Sequence, residues 1–282
     1  MKNIVITGVS SGIGHAAAIK FLDEGNRVFG SVRNEKDVKK LVADYDEKFI
    51  PLIFDVTDEV AIQEAVKKVE SYLEDGESIY CLINNAGYSV SGPIAYIPID
   101  KLTKQFDVNV NGLVRVTQAF LPMLGFNNSR KKGKIINISS ASGKITRPFM
   151  TPYSASKHAV EAISDGLRRE LMEYGIDVIV VEPGPIQSKI WKKARSIDIT
   201  YENTPYHKIY ANIDKAVDEM EGMAIPAERL ADLLYKIANR PKNRTRYLIT
   251  PKKTAFWLAI HILPDRYLDK MFAKQLNKLK ED

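Results

Sequence analysis

Short apolar runs alternate along this chain with longer stretches in which apolar positions recur every three or four residues. The short runs are Asn3–Thr7, Arg27–Ser31, Phe49–Asp55, Ile79–Asn84, Gly133–Ser139 and Asp177–Glu182, and they predict strands. The stretches between them, among them His15–Glu24, Glu59–Glu74, Leu102–Leu124 and Ser156–Tyr174, carry the amphipathic period of helices. Strand, helix and strand at this spacing imply right-handed crossovers. The expected fold is therefore α/β, a doubly wound and mostly parallel sheet covered by helices on both faces. Sheets of this kind bind ligands beyond the carboxyl ends of their strands, where the strand order reverses.

The rhythm breaks between Pro185 and Pro226, where Trp191, Ile197, Tyr201, Tyr206 and Tyr210 stand among many charges. We read residues 185–226 as a substrate lid inserted into one domain spanning residues 1–282, since no linker, repeat or low-complexity tract divides the chain. A helix over Ala227–Asn239, a strand over Tyr247–Thr250 and an amphipathic helix over Thr254–Lys278 are expected to follow, residues 252–282 forming a helical extension. Phe256, Trp257, Leu258, Ile260, Ile262, Leu263, Leu268, Met271 and Phe272 give that extension three possible roles: covering the pocket, packing between subunits, or resting on a membrane surface. Asp265 and Asp269 interrupt its basic face, which ranks the membrane last.

Composition narrows the chemistry. Cys81 is the single cysteine, and His15, His158, His207 and His261 are scattered without ligand spacing, so neither a disulfide nor a metal centre is expected. That cysteine usage suits a reducing, cytoplasmic setting. The apolar amino-terminal strand begins almost at once and leaves no room for a signal peptide, and Ala255–Leu263 is too short to cross a bilayer. The net charge of +6 is uneven: residues 1–188 hold 22 Lys and Arg against 23 Asp and Glu, and residues 189–282 hold 19 against 12. No basic run interleaved with aromatics argues for nucleic acid, and a solvated surface is the reading we adopt.

Thr7-Gly8-Val9-Ser10-Ser11-Gly12-Ile13-Gly14 joins the first strand to the first helix. Gly8 permits a tight turn, Gly12 lets backbone N–H groups approach a pyrophosphate, and Gly14 lets the helix pack on the strand. The helix amino terminus adds partial positive charge for an anion. The glycines follow a G-x-x-x-G-x-G pattern, a variant of the usual dinucleotide loop. After the second strand come Val32 and Arg33, where a carboxylate would bind a ribose 2′-hydroxyl. A guanidinium there suits a 2′-phosphate, which predicts preference for NADP(H) with NAD(H) as the lesser cofactor.

Tyr153 and Lys157 stand four residues apart, one turn of a helix, with Ser140 thirteen residues before the tyrosine. A cation about 4 Å from a phenol at an effective dielectric of ~20 is worth about 4 kcal/mol, enough to lower the phenol pKa and make it a proton shuttle. Together these motifs resemble the short-chain dehydrogenase/reductase family over roughly residues 3–190. Within the family the run Glu182–Ser188 and the long carboxyl segment look most like the retinol and hydroxysteroid dehydrogenase branch. The resemblance implies a Rossmann-like fold and cofactor contacts from Gly8, Ser10, Ser11, Gly12, Ile13, Gly14 and Arg33. It adds Asp55 and Val56 at the adenine, Asn85, Ala86 and Gly87 behind it, Tyr153 and Lys157 at the nicotinamide ribose, and Pro183, Gly184, Ile186 and Ser188 at the nicotinamide turn.

It further implies catalytic roles for Asn109, Ser140, Tyr153 and Lys157. Tyr153 would exchange a proton with the substrate oxygen, Lys157 would lower the tyrosine pKa, Ser140 would hydrogen-bond that oxygen, and Asn109 would hold a water feeding Lys157. Asn111 and Ser139 are the neighbouring alternatives, and Asn84 and Asn85 read mainly as amides that support backbone. The expected enzyme is an NADP(H)-dependent oxidoreductase interconverting a carbonyl and a secondary alcohol on a lipophilic small molecule. The family's habit implies a homodimer or homotetramer. A non-catalytic NADP(H)-binding sensor is the alternative, although a sensor has no need of an activated phenol.

Overall fold

A computed structural model describes residues 1–187, 201–251 and 253–281. Seven parallel strands form one sheet: β1 (Asn3–Ile6), β2 (Arg27–Val32), β3 (Phe49–Ile53), β4 (Ile79–Asn84), β5 (Lys134–Ile138), β6 (Asp177–Pro183) and β7 (Arg246–Ile249), in the order β3-β2-β1-β4-β5-β6-β7. Helices α1 (Gly12–Asp23), α2 (Lys39–Tyr45), α3 (Glu59–Glu70), α4 (Ile99–Phe106), α5 (Gly112–Phe120) and α6 (Thr151–Glu170) supply the crossovers. This is the doubly wound, Rossmann-like sheet that the alternation of elements predicts.

The alternation along β1 shows why both faces are covered. Ile4 and Ile6 pack with Ala17, Phe21, Leu230 and Leu234, whereas Val5 points the other way into Phe29, Ile62, Leu82, Val116 and Phe120. Each is fully buried. The strand order reverses at β1, whose neighbours are β2 and β4, so the carboxyl ends of β1 and β4 open the crevice where a dinucleotide binds in such sheets.

Several boundaries differ from expectation. The predicted Leu102–Leu124 helix begins at Ile99 and contains a π-turn at Asp107–Asn111, where wider backbone spacing turns Asn109 into the protein. Helix α6 starts at Thr151 rather than Ser156, because Pro152 suits a first helical turn. Glu35–Tyr45, unassigned by periodicity, forms a 3₁₀ turn capped by Asn34 and then α2. The single terminal helix is two, α10 (Lys253–His261) and α11 (Asp265–Glu281), since Pro264 cannot continue the first.

After β6 come α7 (His207–Ala211), α8 (Ile213–Gly222) and α9 (Ala227–Asn239), the last packed on α1. Among the described residues no helix is long and apolar enough to cross a membrane, and no group of His, Cys, Asp and Glu is arranged to hold a metal ion.

Candidate active site

The turn after β1 places two glycines in the left-handed region, Gly8 at φ 74° and Gly12 at φ 62°, where a side chain would be strained. Its backbone is fixed from β4: the Asn85 amide donates to the carbonyls of Thr7 (2.9 Å) and Gly8 (3.1 Å), and Thr7 Oγ1 accepts from the N–H groups of Asn85 and Ala86, both at 2.9 Å. A Cβ on Gly14 would overlap the Gly8 carbonyl and that same Asn85 amide, so only glycine lets α1 sit this close to the strand. Ser11 precedes α1 in extended conformation with no side-chain cap, leaving the first N–H groups of the helix for another acceptor. Ser10 is exposed at the mouth of the turn, with Ser11, Gly12 and Ile13 half-buried beside it. Arg33 is exposed just beyond the buried Val32 at the end of β2. These features fit a dinucleotide with its pyrophosphate on α1.

Asp55 turns back on its own loop, accepting from Thr57 N–H (3.0 Å) and Oγ1 (2.8 Å), and positions Val56, which packs against Gly112. Ala86 and Gly87 continue from β4, and a Cβ on Gly87 would crowd Asn109. Asn84 departs from the expectation of a backbone support: its amide donates to Thr117 Oγ1 and Asn137 Oδ1, both 2.9 Å, so it ties side chains together across β4 and β5.

Asn109 is buried, its carbonyl accepting from Tyr88 N–H (3.0 Å) and its amide donating to Tyr88 O (3.0 Å) and Ser156 Oγ (3.1 Å). Ser156 Oγ in turn donates to Tyr153 O at 2.7 Å, which links the π-turn to the first turn of α6. Asn111 is exposed and its amide reaches toward Asp107, so of the two it is Asn109 that turns into the protein. Ser140 Oγ accepts from Ser142 N–H at 3.1 Å, donates to Pro183 O at 3.4 Å, and neighbours the Tyr153 hydroxyl. Ser139, one residue earlier, is buried against Gly143 and faces away.

Lys157 is 5% exposed and donates to Ile138 O at 2.7 Å, with its Nζ 5.8 Å from the centre of the Tyr153 ring. Burial pulls its pKa down to about 8, opposed by the charge of Glu161. Burial also raises the Tyr153 pKa, against the lowering effect of the Ser140 hydrogen bond. The expected depressed phenol is therefore corrected: loss of water around the ring raises its pKa, and the Lys157 ammonium is directed to the Ile138 carbonyl.

Pro183 ends β6, Gly184 N–H donates to Ile249 O (2.8 Å), and a Cβ on Gly184 would meet Thr250. Ile186 buries its side chain in the core and pairs with Ile225 as an isolated bridge, leaving backbone as its route to a cofactor. Ser188, Ile190, Trp191 and Ile197 lie outside the described residues.

Sequence reasoning did not single out Phe149 or Tyr96. Phe149, at φ 65°, packs edge-on with Tyr206 and Tyr210 at 5.5 Å each, and Tyr206 also meets Tyr96. The buried Tyr201 completes the cluster against Tyr210. No motif marks these residues, because they come from three separate segments.

The profile described as short chain dehydrogenase matches residues 2–198. The chain is 46% identical, over the full length of both, to the NADPH-dependent 3-dehydrocapnine reductase of Ornithobacterium rhinotracheale. It is 34% identical to the uncharacterized oxidoreductase YusZ of Bacillus subtilis over 85% of each chain. Among solved structures, a short-chain dehydrogenase from Streptomyces avermitilis superposes with a TM-score of 0.75 at 25% identity, over 99% of this chain and 96% of the other. ElxO with NADP bound gives 0.74 at 25% identity, over 90% and 99%. With the Rossmann-like sheet and the grouped Ser140, Tyr153 and Lys157, these likenesses place the chain in the short-chain dehydrogenase/reductase family of oxidoreductases.

Proposed function

We propose that this protein is an NADP(H)-dependent reductase of a ketone on a lipophilic small molecule, working through Ser140, Tyr153, Lys157 and Asn109. The observation that carries the reading is the grouping of Ser140, Tyr153 and a buried Lys157, whose Nζ lies 5.8 Å from the Tyr153 ring centre, at the carboxyl edge of β5. A bound nicotinamide supplies hydride. Tyr153, with its raised pKa, keeps its proton at neutral pH and is suited to donate it to a carbonyl oxygen, which favours the reductive direction. Ser140 is placed to hydrogen-bond that oxygen as it gains charge, and Lys157 to stabilise the phenolate left behind. Asn109, tied to Tyr88 and Ser156, holds the first turn of α6 in register with the π-turn.

Preference for the phosphorylated cofactor is supported by Arg33 at the end of β2 and by the NADPH dependence in the name of the 46% identical relative. The aromatic cluster of Phe149, Tyr201, Tyr206 and Tyr210, beginning four residues before Tyr153, supports an apolar substrate and a lid role for the 185–226 segment. Phe272 and Leu276 of α11 line a cavity together with Pro148 and Thr151, just before Tyr153, which supports a pocket-covering role for the extension.

The test is NADPH consumption, followed at ~340 nm, against a ketone panel that begins with 3-dehydrocapnine. Tyr153→Phe is expected to lose about 10²–10⁴-fold in turnover while binding NADPH like the parent. Turnover undiminished in that variant sinks the catalytic assignment. Tight NADPH binding with no ketone consumed points instead to the sensor.

A further inference from the structure

Behind the reactive groups lies a buried cluster of charges that the reaction itself does not use. Glu161 sits on α6 one turn beyond Lys157, on the same face, and both residues are 5% exposed. Its Oε2 is held by Arg246 Nε of β7 at 2.9 Å and by Lys144 Nζ, from the turn after Ser140, at 3.0 Å. Glu182 of β6, immediately before Pro183, lies at 3.5 Å from Arg246 and 3.6 Å from Lys144. Arg246 also reaches Asp165, one turn further along α6, at 2.9 Å. The charged and titratable groups facing this pocket are thus Lys157, Glu161 and Asp165 from α6, Glu182 from β6, Arg246 from β7 and Lys144 from the Ser140 turn, with Tyr153 on the far side of Lys157.

Two features make this more than a structural clasp. Among the described residues Lys157 has no carboxylate within ion-pair distance, and its ammonium rests on a backbone carbonyl. A buried ammonium with so little compensation tends to shed its proton. Glu161 is the carboxylate whose charge opposes that loss, and its own charge is secured by two cations. Glu182 cannot replace it: burial and the neighbouring Glu161 charge push its pKa up to about 7.

We propose that Glu161 is a positioning residue for the reaction, holding Lys157 as an ammonium beneath Tyr153 from one helical turn away, with Arg246 and Lys144 anchoring the carboxylate. The inference rests on the proposed role of Lys157. Removing the Glu161 charge favours the neutral amine.

The experiment is an NMR titration of the Lys157 side chain in selectively labelled, NADPH-free protein, paired with the pH profile of kcat/KM for ketone reduction. Glu161→Gln should move the Lys157 midpoint down by about one pH unit, a tenfold change in its equilibrium, and lower the alkaline limb of the profile equally. Glu161→Asp, which keeps the charge, should restore most of the shift. A midpoint that stays put in Glu161→Gln, or that Glu161→Asp does not restore, overturns the proposal in favour of a purely structural cluster. Should Glu161→Gln not fold, Glu161→Asp decides the matter: a midpoint slightly down supports the proposal, and one that does not move overturns it. The titration reads the ammonium without substrate, so failure to find any reducible ketone would count against the proposed function and leave this inference standing.

Discussion

At Tyr153 two effects oppose each other, and burial wins: the phenol stays protonated until well above neutrality, while burial brings the Lys157 ammonium down to about 8. The pH dependence follows from the signs. Reduction needs the phenol protonated and the lysine charged, so kcat/KM for reduction should be level near pH 6–7 and fall as pH rises through about 8. Initial rates of NADPH oxidation across pH 6 to 10 check this, and a profile that climbs steadily through that range contradicts it. The four residues proposed to react were legible in the sequence because each sits in a short motif, and helix geometry alone brings Tyr153 and Lys157 to one face. The pKa of the phenol was not legible, since it depends on how much water the fold removes around the ring.

The β1–α1 turn works as an element because four of its hydrogen bonds come from the residues that follow β4. Asn85 and Thr7 lock the turn to β4, and Gly14 gives α1 its close approach. Gly14→Ala should therefore destabilise the protein by about 1–3 kcal/mol through overpacking, read as a drop in Tm, and weaken NADPH binding by displacing the helix amino end. A variant with parental Tm and affinity would show that the turn has more slack than its contacts indicate. The glycine spacing announced this turn, and its conformational demand is local. The π-turn at Asp107–Asn111 gave no comparable signal: the segment reads as plain amphipathic helix, and the widening depends on Asn109 finding Tyr88 and Ser156. Pro264 did mark the break between α10 and α11, which the run of apolar residues across it obscured.

Across the whole molecule, cofactor binding and stability are linked, because a ligand that binds only the folded state raises its stability, by ~2.7 kcal/mol at a hundredfold excess over Kd. NADPH should raise Tm clearly more than NADH at equal concentration, and Arg33→Ala should erase the difference by removing the guanidinium that suits a 2′-phosphate. Equal shifts from the two cofactors in the parent protein would remove Arg33 from the account. What the sequence determined by itself was the succession of strands and helices, the glycine turn and the reactive motifs, since propensity, periodicity and positive-φ turns act over a few residues. Only the tertiary structure decided which amide of Asn109 and Asn111 turns inward, how the aromatic cluster assembles from residues 96, 149 and 201–210, and that Glu161, Glu182, Lys144 and Arg246 converge behind Lys157. The reason is physical: desolvation and long-range charge depend on which distant segments the sheet order brings together, and no local pattern encodes that distance.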